Sequence, residues 1–91
     1  MNAKQEPKYG AEGARIFDRA SGDFIPDDEP IFILRARDTT AVATLLHYYM
    51  GHRACQNEQH ADAVLGRLLD FQRFQREHPD LMKYPDTSPA A

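Results

Sequence analysis

The sequence predicts an α+β fold: a short N-terminal β-hairpin plus a third strand, followed by two packed α-helices. Three observations predict it. Two short β-prone runs flank a Ser-Gly pair near the N-terminus, and a third apolar run follows two closely spaced prolines. Beyond that run, apolar residues recur at helical spacing in two segments separated by a polar connector.

Arg15-Ile16-Phe17-Asp18 and Asp23-Phe24-Ile25-Pro26 are the two hairpin runs. Arg19-Ala20-Ser21-Gly22 lies between them, and its glycine supplies the positive φ that a tight loop needs. Pro26 has no N–H to give a ladder and ends the second run. After the acidic turn Asp27-Asp28-Glu29-Pro30, the stretch Ile31-Phe32-Ile33-Leu34-Arg35-Ala36-Arg37 gives the strongest strand signal in the chain. Alternation places Ile31, Ile33, Arg35 and Arg37 on one face, with Phe32, Leu34 and Ala36 on the other.

Asp38 is the expected N-cap of the first helix, which runs to about Met50 on a stripe of Val42, Leu45, Leu46 and Tyr49. Gly51 is expected just past its end. The connector His52–Asn57 leads to a second helix over about Glu58–Glu77, with Ala61, Val64, Leu65, Leu68 and Phe71 as its apolar stripe. Leu69 and Phe74 fall outside that stripe, and His78-Pro79-Asp80 ends the helix. Residues 1–13 hold one large apolar group, Tyr9, and are expected to be a mobile N-terminal arm. Residues 14–84 are expected to form a single domain, and 85–91 a flexible tail. A domain of this size supplies only about 3–5 kcal/mol from its own core, so a homo-oligomer is expected.

Composition removes several function classes. With 91 residues, a formal charge of −3 and 42% hydrophobic residues, the chain is neither disordered throughout nor charged as a nucleic-acid binder is. No apolar run is long enough to span a bilayer, and the N-terminus lacks the apolar stretch of a secretory signal. A lone cysteine, Cys55, suits a reducing cytoplasm. There is no phosphate loop, nucleophile elbow, His-Glu-x-x-His or Cys-x-x-Cys, and both serines lie in a turn and a tail, so catalysis and a cofactor are not expected.

Four constellations carry some chemistry. His47, His52, Cys55 and His60 bear zinc-type donors around the interhelical turn, although Gly51 and the two helices need not aim them at one point. Arg35 and Arg37 precede a helix N-terminus, where an anion would be favoured. The plainer account pairs them with Asp27, Asp28 or Glu29. Tyr48 points away from the stripe that holds Tyr49, beside His47, and is a ring that stacks on a base or anchors a partner. Arg67, Arg73 and Arg76, with Asp70 and Glu77, read as a solvated, salt-bridged face.

The segment Ile25-Pro26-Asp27-Asp28-Glu29-Pro30-Ile31-Phe32-Ile33-Leu34-Arg35-Ala36-Arg37-Asp38, with Ala41-Val42 after it, resembles small accessory proteins of tailed bacteriophages and proteobacterial prophages. So does the ending Glu77-His78-Pro79-Asp80-Leu81-Met82-Lys83-Tyr84-Pro85-Asp86-Thr87. The resemblance implies a protein made in the host cytoplasm. Many such proteins counter host defences by sequestering a signalling nucleotide or by occluding a defence protein. The expected function is therefore non-enzymatic binding of a small nucleotide or a host protein. Arg35 and Arg37 are expected to hold phosphate, Tyr48 to stack on the base, and His47 to lie nearby. The alternative is a structural or regulatory interaction module, such as a minor virion component, using Leu69, Phe74, Leu81 and Met82. A DNA-binding regulator is disfavoured because the arginines of the second helix are mixed with acids.

Overall fold

The computed structural model describes residues 6–87. The chain divides into two compact units between Ile33 and Leu34. The division runs through the stretch expected to be the third strand.

In the first unit, strand β1 (Tyr9–Glu12) pairs antiparallel with β2 (Arg15–Asp18) in the register Tyr9↔Asp18, Gly10↔Phe17, Ala11↔Ile16 and Glu12↔Arg15. The loop between them is Gly13-Ala14. Positive φ at its first residue alone (Gly13, 61°) is the pattern of a II′ hairpin turn. β2 occupies the predicted residues, but its ladder partner is not the predicted one. Tyr9–Glu12 lie in the stretch expected to be a mobile arm, whose residues 1–5 fall outside the described residues, as do residues 88–91 of the expected tail. The predicted partner, Asp23–Pro26, reaches the other edge of β2 only as a bridge between Phe17 and Phe24. Ile25 N–H donates to Ile16 O at 2.8 Å, and Asp18 N–H to Asp23 O at 2.9 Å. Gly22, at φ 78°, turns the chain there as expected.

Phe17 holds this unit together. Its ring lies over Gly10 on the paired strand, where a Cβ would overlap it, and meets Phe24 edge-on with centroids 6.2 Å apart. Arg15 stacks its guanidinium 3.9 Å from the centre of the Phe24 ring. Lys8 Nζ pairs with Asp18 Oδ2 at 2.7 Å. That bond draws the Asp18 carboxyl below its ordinary value of 3.8 and raises the Lys8 ammonium above 10.5.

The third strand is not formed: within residues 31–37 no ladder exists, and Ile31, Phe32 and Ile33 are exposed. Apolar, β-prone residues make a strand only where they meet backbone partners; β2 is flanked by β1 and by the Phe24 bridge, and residues 31–37 do not pair along the outer edge of β1 either. The chain instead turns at Arg35, whose carbonyl accepts from Asp38 N–H at 3.0 Å.

The second unit is a pair of helices, α1 (Ala41–Ala54) and α2 (Glu58–Glu77), packed on each other. Ala41, Ala61, Val64, Leu68 and Phe71 are its buried apolar residues. Both alanines are fully enclosed, and small residues of this kind let two helix backbones approach closely. Val64, Leu68 and Phe71 each contribute about 1.5–3 kcal/mol by leaving water. α2 follows its predicted span, and its predicted stripe is buried except for Leu65, which is half-buried. α1 differs at both ends and on one face. Its N-cap is Thr40, while the Asp38 carboxylate accepts from Thr40 N–H and Oγ1–H, each at 2.8 Å. Leu46, placed on the buried stripe by its spacing, is exposed.

Gly51 does not end α1. Helical bonding continues through it, Cys55 N–H donating to Gly51 O at 3.1 Å. The stop comes at Gln56, with φ 60°. Gln56 N–H donates to Arg53 O at 3.1 Å and Asn57 N–H to His52 O at 2.9 Å, the two bonds of a Schellman ending. Beyond α2, a 3₁₀ turn (Pro79–Leu81) sends the chain back to the start of α1. There Lys83 N–H donates to Arg37 O at 3.0 Å and Thr39 N–H to Lys83 O at 2.9 Å. The Gln75 amide fixes the same corner, donating to Ala36 O at 3.0 Å and Asp38 O at 3.3 Å.

Three outcomes are expected. Gly10→Ala should speed amide exchange across 9–18 at least several-fold while α1 and α2 keep their protection, and equal loss in both units would contradict it. Gln56→Gly should stabilise the helical unit by about 0.5–1 kcal/mol, because glycine pays no steric cost at positive φ; thermal melting checks it. The contribution of the depressed Asp18 carboxyl is present above pH 3.8 and is lost as the pH falls through its lower folded value. The contribution of the raised Lys8 is complete below pH 10.5 and is lost above it. Amide exchange of the hairpin in wild type and Asp18→Asn should therefore converge only at the two pH extremes.

Candidate functional site

The turn between α1 and α2 brings four rings and an amide together. His47, Tyr48 and His52 come from the last turns of α1, Asn57 from the turn, and His60 from the first turn of α2. Tyr48 and His52 are one helical turn apart and therefore share a face. The Schellman ending at Gln56 then swings α2 back so that His60 meets them. Tyr48 lies 4.5 Å from His52 and 5.8 Å from His60, centre to centre, and the two imidazoles are 4.7 Å apart. Tyr48 Oη and His60 Nε2 share a hydrogen bond of 3.0 Å, and Asn57 Nδ2 meets His52 Nδ1 at 3.3 Å.

Beside these rings is an open hollow of about 620 Å³ lined by His47, Tyr48, Gly51, His52, Cys55 and Asn57. Gly51 has nothing within 4 Å of where its Cβ would stand, so the floor on that side is bare backbone. Tyr48 is 47% exposed. The arrangement offers flat ring faces with polar tips, which suits contact with another planar or apolar group.

His47 and Tyr48, two of the four expected ligand residues, line this hollow together. Arg35 and Arg37 do not line it; they lie before the N-terminus of α1, at the corner where Lys83 returns. Within Leu34–Thr87 neither arginine forms an ion pair, and Arg37 Nε is buried without a hydrogen-bond partner. The zinc-type donors do not assemble as a set: among the described residues no three His, Cys, Asp or Glu groups are placed to hold a metal. His52 and His60 do meet, but Cys55 is exposed.

The expected interface residues differ in surroundings. Leu69 is 53% and Leu81 37% exposed, whereas Phe74 and Met82 are half-buried. Phe74 packs on His78, with ring centres 4.6 Å apart. The salt-bridged face of α2 forms around Asp70, which takes Arg73 at 2.6 Å and Arg67 at 3.5 Å.

Sequence reasoning missed Asn57 as a site residue, and read His52 and His60 only as metal donors. The signal present was the i, i+4 spacing of Tyr48 and His52. The position of His60 depends on the turn at Gln56, which carries no glycine to announce it. Among the described residues no helix is long and apolar enough to cross a membrane. Compared with protein families, curated proteins and solved structures, the chain matches none of them.

Proposed function

We propose that the protein acts by binding rather than catalysis, as a phage or prophage accessory protein that sequesters a signalling nucleotide in the host cytoplasm. The observation that carries this reading is the half-exposed Tyr48 ring, held by His52 and His60 at the edge of an open hollow. A base stacks on such a ring whatever its identity, and alanine substitution of a stacking ring costs about 1–3 kcal/mol per base. His47 and the Asn57 amide would contact the base edge. Arg35 and Arg37, without ion pairs among residues 34–87, would hold phosphate by paired guanidinium bonds. The phage setting rests on the resemblance of residues 25–38 and 77–87.

A second reading has its own support. Two of its expected interface residues, Leu69 and Leu81, are exposed, and they would serve a protein partner if they are part of one contiguous patch. On that reading the chain occludes a host defence protein, or serves as a structural or regulatory module.

Titration calorimetry with cyclic dinucleotides, linear nucleotides and the corresponding nucleosides separates these. Sequestration predicts binding that Tyr48→Ala weakens about ten-fold or more. Arg35→Ala with Arg37→Ala should erase the preference for nucleotide over nucleoside. Absence of binding by every nucleotide at about 1 mM, an affinity worth only ~4 kcal/mol, would sink the nucleotide reading. Loss of a host-protein complex on Leu69→Lys, with Tyr48→Ala harmless, would establish the second.

A further inference from the structure

We infer that the outward stripe of α1, formed by Ala43, Leu46, Met50 and Ala54, is a docking surface for α1 of a second copy of this chain, paired antiparallel about a two-fold axis. This surface borders the ring-lined hollow at His47, and it does not depend on the nucleotide reading.

On α1 the polar side chains Thr44, His47, Tyr48 and His52 gather on one flank, and the rest of the outward surface is apolar apart from Arg53. The 14 residues of α1, AVATLLHYYMGHRA, include no Asp or Glu and one Lys or Arg, Arg53, whose guanidinium donates to Tyr49 Oη at 3.3 Å. A helix apolar on both faces belongs in an interior. Yet α1 packs on α2 with one face only, and on the other side Leu46 is 46% and Met50 59% exposed, with Ala43 and Ala54 exposed as well. α2 has the opposite character, since its outward positions carry Asp62, Arg73, Arg76 and Glu77. On α2 Leu69 is the one large apolar group left exposed, whereas α1 leaves a continuous stripe.

Two features of the stripe favour a copy of itself. The residues recur at steps of three and four, which keeps them on one side of the helix. Their sizes run small, large, large, small, so reversing the helix reproduces the pattern. A two-fold axis near the middle of α1 lays alanine ends over alanine ends and interleaves Leu46 with Met50. The second feature is charge. A two-fold contact sets every group near its own copy, so charged stripes repel themselves; this one holds no charged side chain. A charged partner, conversely, would find nothing there to pair with. One pair of helices this short covers less than the roughly 800 Å² per partner of a standard interface, so the dimer should be reversible.

Sedimentation equilibrium of the full chain, from about 1 to about 200 μM, tests this over the range in which interfaces of this class dissociate. The expected result is a rise from monomer to dimer mass across that range. Leu46→Lys with Met50→Lys should leave a monomer at every concentration, with the helical circular dichroism unchanged. Mixing that variant with Leu46→Glu/Met50→Glu should restore a dimer, which excludes misfolding as the cause. A monomeric wild type at the top of the range would overturn the inference. So would a dimer that persists in the lysine variant, or a mixture that stays monomeric.

Discussion

The helical unit depends on the close packing of α1 on α2. Ala41 and Ala61 are fully enclosed, and along α2 Val64, Leu68 and Phe71 leave water. Every other feature of that unit follows from where this contact puts the two helices. It places the end of α1 beside the start of α2, which is why Tyr48, His52 and His60 meet. It presents Gln75 to the carbonyls of Ala36 and Asp38, and so closes the corner to which Lys83 returns. The same contact uses one face of α1 and leaves Leu46 and Met50 in water. The buried set is small, and such a set rarely stabilises a short chain by more than a few kcal/mol, about 3–5. An apolar surface left over on α1 is the natural complement of a core that small.

The hairpin unit is organised by different physics. Its centre is a single ring, Phe17, covering a glycine on one neighbour and touching an aromatic ring on the other. Ion pairing between Lys8 and Asp18 and the stacking of Arg15 on Phe24 fix its rim. These are surface interactions, individually weak in water, and they act together because β2 holds Arg15, Phe17 and Asp18 in one register.

The site at the helix ends joins these themes to chemistry. Its rings are held by hydrogen bonds to one another and to an amide, so their faces stay presented without a ligand. Preorganised aromatic faces lose little freedom on binding. The Arg35–Arg37 corner supplies cationic groups in the same unit but not in the same hollow.

How much of this was legible beforehand differs by element. The residues of β2, the turn at Gly22, and the span and stripe of α2 were readable, because each rests on local geometry: β-branched or aromatic alternation, glycine at positive φ, and a 3.6-residue repeat. Tyr48 and His47 were identifiable as a pair, since one helix turn fixes both. The rest needed partners that a local pattern does not specify. Gly13-Ala14 is a hairpin signal, but the polar stretch around it concealed β1. Ile31–Leu34 has the composition of a strand and stays unpaired, because composition supplies no backbone partner and the segment lies along neither strand of the hairpin. The end of α1 moved from Gly51 to Gln56, since glycine inside a helix costs only about 1 kcal/mol and the packed α2 compensates. Sequence by itself determined which short segments curl, extend or turn. Tertiary structure decided which of them found partners, because hydrogen-bonded edges and buried faces are shared between distant residues and are filled only once.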